Sequence, residues 1–189
     1  MLRTSWKKIQ DTAKLTPDSL TNPTKLDVVK RLGEHSVIHF ICYGRSVAND
    51  PSSSALILGQ QDASAAEHLT VRELNAIILG KARIAYLSAC STAENSSLAL
   101  LDESIHLASA FQLAGFAHVI ATFWEAKSSG AVPLAGYFYQ SLVQAVAELR
   151  TSTGSHDVVA YALHDALCKV RGSKLSNPLF WAPFVHIGA

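Results

Sequence analysis

Cysteine is scarce in this chain. Cys42, Cys90 and Cys168 are its three, and none lies close enough to another in sequence to suggest a zinc knuckle or a disulfide framework. Long apolar runs are missing too: none approaches the roughly 18 residues that span a bilayer. The N-terminal stretch MLRTSWKKIQ lacks the apolar core of a secretory signal. Charge is sparse and balanced, at 16% of residues and a net +1, which leaves no basic footprint for nucleic acid. No G-x-G-x-x-G or Walker sequence is present to cradle a nucleotide. His106, His118, His164 and His186 are scattered without evident ligand spacing, so neither a metal nor a cofactor is expected. Together these absences suggest a cytoplasmic, reducing setting, with no membrane and no nucleic acid as partner.

What is present is the alternation of an α/β domain. The length of 189 residues and 49% apolar content suit one domain with a real core. Residues 1–23 are polar, charged and aperiodic, and read as a leader ending at Asn22-Pro23; the domain is expected over 24–189. Thr24 and Asp27 have capping-box spacing, followed by the stripe Leu26, Val29 and Leu32 and a stop at Gly33. Ser36 to Cys42 predicts a buried strand, GRSVANDPSSS a loop and Ala55 to Leu58 a brief strand. Thr70 and Glu73 repeat the capping spacing ahead of Leu74, Ile77 and Ile78 on one face, with Gly80 at the end.

Arg83 to Ala89 is the second long strand. Asp102 is expected to open a helix with Ile105, Ala108, Phe111 and either Leu113 or Ala114 inward, closed by Gly115. His118 to Phe123 reads as a third buried strand. Helices follow over Ala131 to Leu149 and His156 to Arg171, the second aligning Val159, Leu163, Ala166, Leu167 and Val170; Trp181 to Ile187 is a last strand. Strands alternating with long helices predict a parallel sheet covered on both faces. Right-handed crossovers then gather the strand C-termini on one edge, where such sheets carry their sites. Cys42, Tyr43, Cys90 and Trp124 fall there.

Cys90 ends the strand ARIAYLSAC, ahead of the small-residue loop STAENSS. A strand-end thiol on a crevice edge can be activated by a nearby base or by loop N–H groups; the competing reading is a small buried apolar residue. His39 is the nearest histidine in sequence to Tyr43, but it lies four residues back, about 13 Å along the strand. It reads as a core histidine bonded to a neighbour. Tyr43 is no base in its own right, because a phenol of pKa near 10 stays protonated at neutral pH. Glu94 either faces a basic group in the cleft or is a solvated loop acid. Asp102 and Glu103 read as helix-capping acids.

The runs VIHFICYGRS, NDPSSSALIL, LTVREL, IAYLSACSTA, LLDESIHLASAFQLAGFAHVIATFWE and WAPFVHIG, in that order, resemble the CHAT domain. This is a caspase-like domain often found with tetratricopeptide repeats, and the wording is similar to its fungal branch. The resemblance covers about Thr24 to Gly188. It implies the caspase-hemoglobinase fold, a three-layer α/β/α arrangement around a mostly parallel sheet, here N-terminally shortened. It also implies a cysteine-histidine peptidase dyad. Cys90 matches the nucleophile and Gly44 the glycine near the oxyanion, but Tyr43 stands at the general-base histidine. A catalytically impaired signalling or effector module is therefore the expectation, with a protein or peptide, or the repeats of a larger protein, as partner. The alternatives are an active cysteine endopeptidase using another base and a non-catalytic interaction module.

Overall fold

The computed structural model describes residues 17–45, 47, 49–59, 66–88, 90–91, 100–124, 126–149, 157–172 and 177–188; at 90–91, 100–106 and 149 it describes the main chain. The fold is mixed α/β, with a mostly parallel central sheet and five helices among the described residues. They form two compact units, one within 19–125 together with 187–188, the other within 126–186 together with 17–18.

The first unit begins with α1 (Lys25–Glu34), and its N-terminus is the capping box read from the sequence. The Asp27 N–H donates to Thr24 Oγ1 at 3.2 Å, and the Thr24 N–H donates back to Asp27 at 3.1 Å. The expected apolar stripe needs correction. Leu26 is 78% exposed, and the buried pair is Val28 and Leu32. Leu26 is two residues before Val28 and so about 200° around the helix from it, since each residue advances roughly 100°; the first turn's apolar residue therefore faces away from the buried side. The helix also runs past Gly33 to Glu34.

The run Ser36 to Cys42 is not one strand. It yields β1 (Val37–Phe40), breaks at Ile41 and Cys42, and resumes as β2 (Tyr43–Arg45), which takes in two residues expected in the loop. The apolar run continues through the break, so composition could not show that the chain changes sheets. β2 pairs antiparallel with β3 (Ala55–Leu58), and β3 pairs antiparallel with β4 (Glu67–Thr70), a strand the sequence reading missed. Thr70 then caps α2 (Val71–Asn75) through a complete box with Glu73. Lys25 Nζ reaches Glu73 at 2.7 Å, joining the two capped helices. α2 stops before Gly80. The turn that follows swings Ile78 out to 94% exposure and buries Leu79, whose N–H donates to Ala114 O at 2.9 Å.

β5 (Ile84–Leu87) is buried at every residue, as a central parallel strand must be. It pairs in parallel with β1 on one side and with β7 (His118–Thr122) on the other. Between them run β6 (Cys90–Ser91) and α3 (Leu100–Leu113). The core is built where Phe111 of α3 meets Phe40 of β1 at 5.3 Å between ring centres and Phe116 at 5.6 Å. Ala114 is buried and Leu113 is 71% exposed, which resolves that alternative. Gly115 ends the helix at φ +114°, and a Cβ there would lie 2.7 Å from Leu79 O. β8 (Phe184–Gly188) follows β7 in the order β1-β5-β7-β8; the second sheet runs β4-β3-β2-β6.

The second unit is built on α4 (Ser128–Leu149) and α5 (Val158–Arg171), packed on each other. Leu134, Phe138 and Leu142 of α4 are buried, as are Val159, Leu163, Ala166 and Val170 of α5, while Leu167 is half-buried. Lys169 Nζ donates to Ser141 Oγ at 3.1 Å, the Ser141 hydroxyl donates to Asp165, and Lys169 pairs with Asp165 at 2.7 Å. Those contacts hold the Asp165 carboxyl below its usual pKa, with the Lys169 bond the largest cause.

Candidate functional site

The site grows from two neighbouring strands that run in parallel and break together. β1 and β5 are in register through Phe40 opposite Leu87. β1 ends at Phe40 and β5 at Leu87, and pairing resumes in the second sheet at Tyr43 and at Cys90, with the same offset on both sides. Tyr43 of β2 stands opposite Cys90 of β6, and Gly44 stands opposite Ser91. Register therefore survives the passage from one sheet to the other. The Ser88 N–H donates to Phe40 O at 2.9 Å and carries the ladder into the gap. Paired parallel strands lie about 4.8 Å apart, so the Tyr43 and Cys90 main chains are as close as two neighbouring strands allow.

Tyr43 is 58% exposed on β2. Its strand is held on both sides, by β6 and by β3, where Ile57 is its partner. The half-buried Cys42 lies in the break just before it. Trp124, 40% exposed, follows the end of β7. Glu94 lies outside the described residues, and the side chains of Asp102 and Glu103 do too; their helix starts at Leu100. The main chain thus sets Tyr43 opposite Cys90 and Gly44 opposite Ser91, in strands of the second sheet rather than at the ends of the parallel strands themselves.

His39 is placed as the sequence reading expected, paired with Tyr86 four residues before the Tyr43–Cys90 pair. Its Nε2 shares a 2.8 Å hydrogen bond with Ser88 Oγ, and its ring lies 4.4 Å from that of Tyr86. Part of the residue is open by area, yet Nδ1 has no solvent contact, and the ring's surroundings decide its chemistry. Burial lowers its pKa from 6.5 to about 3. A base that weak accepts a thiol proton poorly, and Ser88 already occupies its Nε2 side. Ser88 was not singled out from sequence; its one signal was its place two residues before Cys90.

His68 lies in the same row of the second sheet, opposite Ile57, which is itself opposite Tyr43. Three strand spacings put it about 14 Å from Cys90, too far for direct proton transfer. His118 sits opposite Ile84, at the other end of the parallel strands.

Compared with protein families, residues 4–189 match the family model described as CHAT domain. The chain belongs to the CHAT domain family. That family is caspase-like and peptidase-related, and the mixed α/β architecture with its mostly parallel sheet agrees with it. The match takes in most of the segment read from sequence as a leader. No curated protein matches this CHAT domain. Among the described residues, no helix is long and apolar enough to cross a membrane.

Proposed function

We propose that this CHAT domain is a caspase-like module with impaired peptidase chemistry that acts as a signalling or effector domain. The observation that carries the reading is Tyr43 standing opposite Cys90 in register. A dyad needs its two members on adjacent chain segments, and these two positions are adjacent. Cys90 occupies the nucleophile position and Tyr43 the general-base position, with Gly44 supplying main chain near the oxyanion. A phenol of pKa near 10 is only about one part in a thousand ionised at pH 7, so the proton has no efficient acceptor. Loss of a general base costs about 10²–10⁴ in rate. His39, with its pKa near 3, and His68, three strands away, do not replace it. The partner is a protein or peptide, in keeping with a module attached to repeats. A reducing, cytoplasmic setting fits a chain with three cysteines and no paired spacing among them.

The test compares hydrolysis of a fluorogenic peptide library by the unaltered chain, Cys90→Ala, Tyr43→His and the double variant. The unaltered chain should match Cys90→Ala, and Tyr43→His should gain about 10²-fold in a manner lost again in the double variant. Turnover by the unaltered chain above Cys90→Ala, with no gain from Tyr43→His, would replace this reading with an active peptidase using another base. A complementary measurement is Cys90 alkylation against pH with Cys42 and Cys168 changed to Ser. The expected thiol pKa is about 8.5, that of an unactivated cysteine.

A further inference from the structure

α5 has one buried side and one exposed side. Val159, Ala162, Leu163, Ala166 and Val170 face inward, while Tyr161, His164 and Cys168 are exposed. His164 and Cys168 are four residues apart, so they stand one above the other on the same face of the helix. Their functional atoms meet: His164 Nε2 lies 3.6 Å from Cys168 Sγ.

That separation can be compared with what a metal requires. Zinc binds imidazole nitrogen at about 2.0–2.1 Å and thiolate sulfur at about 2.3 Å, in a tetrahedral array. Two such ligands at a tetrahedral angle lie about 3.5 Å apart, from the same bond lengths. The observed 3.6 Å matches that spacing. The neighbouring charges are occupied elsewhere. Asp165 is held by Lys169 at 2.7 Å, and Arg171 lies over the Trp181 ring at 5.5 Å.

We infer that His164 and Cys168 form a two-point chelate on α5 for a thiophilic divalent cation such as Zn²⁺. One imidazole and one thiolate favour zinc over the oxygen-seeking Ca²⁺ and Mg²⁺. On binding, the thiol gives its proton to solvent and the sulfur takes the metal, while water fills the remaining two positions. The two ligands belong to one helix and are exposed, so no rearrangement of the core is needed. The His-x-x-x-Cys spacing was in the sequence, but became informative only once this face of the helix proved to point outward. The inference is independent of the peptidase reading.

The test is alkylation of Cys168 in the full chain, followed peptide by peptide by mass spectrometry with and without Zn²⁺. Zinc should slow modification of Cys168 by about tenfold, because the alkylating agent needs the sulfur lone pair that the metal holds. His164→Ala should remove that protection, and Mg²⁺ should give none. Co²⁺ titration supplies a second readout: a thiolate-to-cobalt charge-transfer band present in the unaltered chain and reduced in Cys168→Ser, with Cys42 and Cys90 retained in both. Far-UV circular dichroism checks that the variants keep their helices. Zinc that leaves Cys168 alkylation unchanged, or that protects it equally in His164→Ala, overturns the chelate and leaves a plain S–H···N contact.

Discussion

At the scale of single residues, His39 shows how the same side chain can be chemically tempting and chemically spent. It is a histidine on a strand leading to the Tyr43–Cys90 pair, yet burial takes its pKa down to about 3 and Ser88 holds its Nε2. The depressed pKa has a measurable consequence. Between pH 6.5 and about 3 the unfolded chain binds a proton at this position that the folded chain does not. Stability from this group is therefore full above pH 6.5 and is lost as pH falls, by up to about 1.4 kcal/mol per pH unit. Paired carboxylates such as Glu73, whose ordinary pKa is 4.5 and which Lys25 and Thr70 lower to about 2, add their loss at lower pH. Urea unfolding from pH 6.5 to 4.5 should thus show a falling midpoint in the unaltered chain and a flatter one in His39→Gln. An equal slope in the two would deny His39 the neutral, buried state.

At the scale of elements, the two capping boxes were legible because an N-cap is chemically local: a hydroxyl three residues before a carboxylate needs no tertiary partner. Their contributions should differ. Thr70 caps a helix of only five residues, and its box includes the Glu73 that pairs with Lys25 of α1. Thr24 caps a longer helix from an exposed position. Thr70→Ala is expected to cost about 1–2 kcal/mol and Thr24→Ala about 0.5–1 kcal/mol in chemical denaturation. The other end of an element gives a sharper case. Gly115→Ala combines a left-handed main chain with a Cβ driven to 2.7 Å from Leu79 O, and should cost more than about 2 kcal/mol. A milder result would mean that the turn relaxes. Strand limits were less legible. Ser36 to Cys42 is mostly apolar, and nothing in that composition marks where pairing passes from one sheet to the other.

At the scale of the whole molecule, the sequence named the right kinds of residue for the core but sometimes the wrong members. Ile78 and Leu79 are adjacent and equally apolar; the turn after α2 exposes one and buries the other. Leu113 and Ala114 divide in the same way at the end of α3. Ile78→Glu and Leu113→Glu should therefore shift stability by no more than about 0.5 kcal/mol. Leu79→Ala should cost about 2–5 kcal/mol and Phe111→Ala about 3–5 kcal/mol, read from urea midpoints. The order of the long helices, both capping boxes and the buried central strand were determined by the sequence, because propensity, capping and apolar runs act over a few residues, while Cys90 and Tyr43 were singled out as a pair by the resemblance to the CHAT domain. Tertiary structure alone decided that Tyr43 stands opposite Cys90, that His39 is spent on Ser88, and that His164 and Cys168 meet on an open face. Those facts depend on strand register and on which side of a helix packs inward. Both are settled by contacts between segments far apart in the chain, and no local pattern contains them.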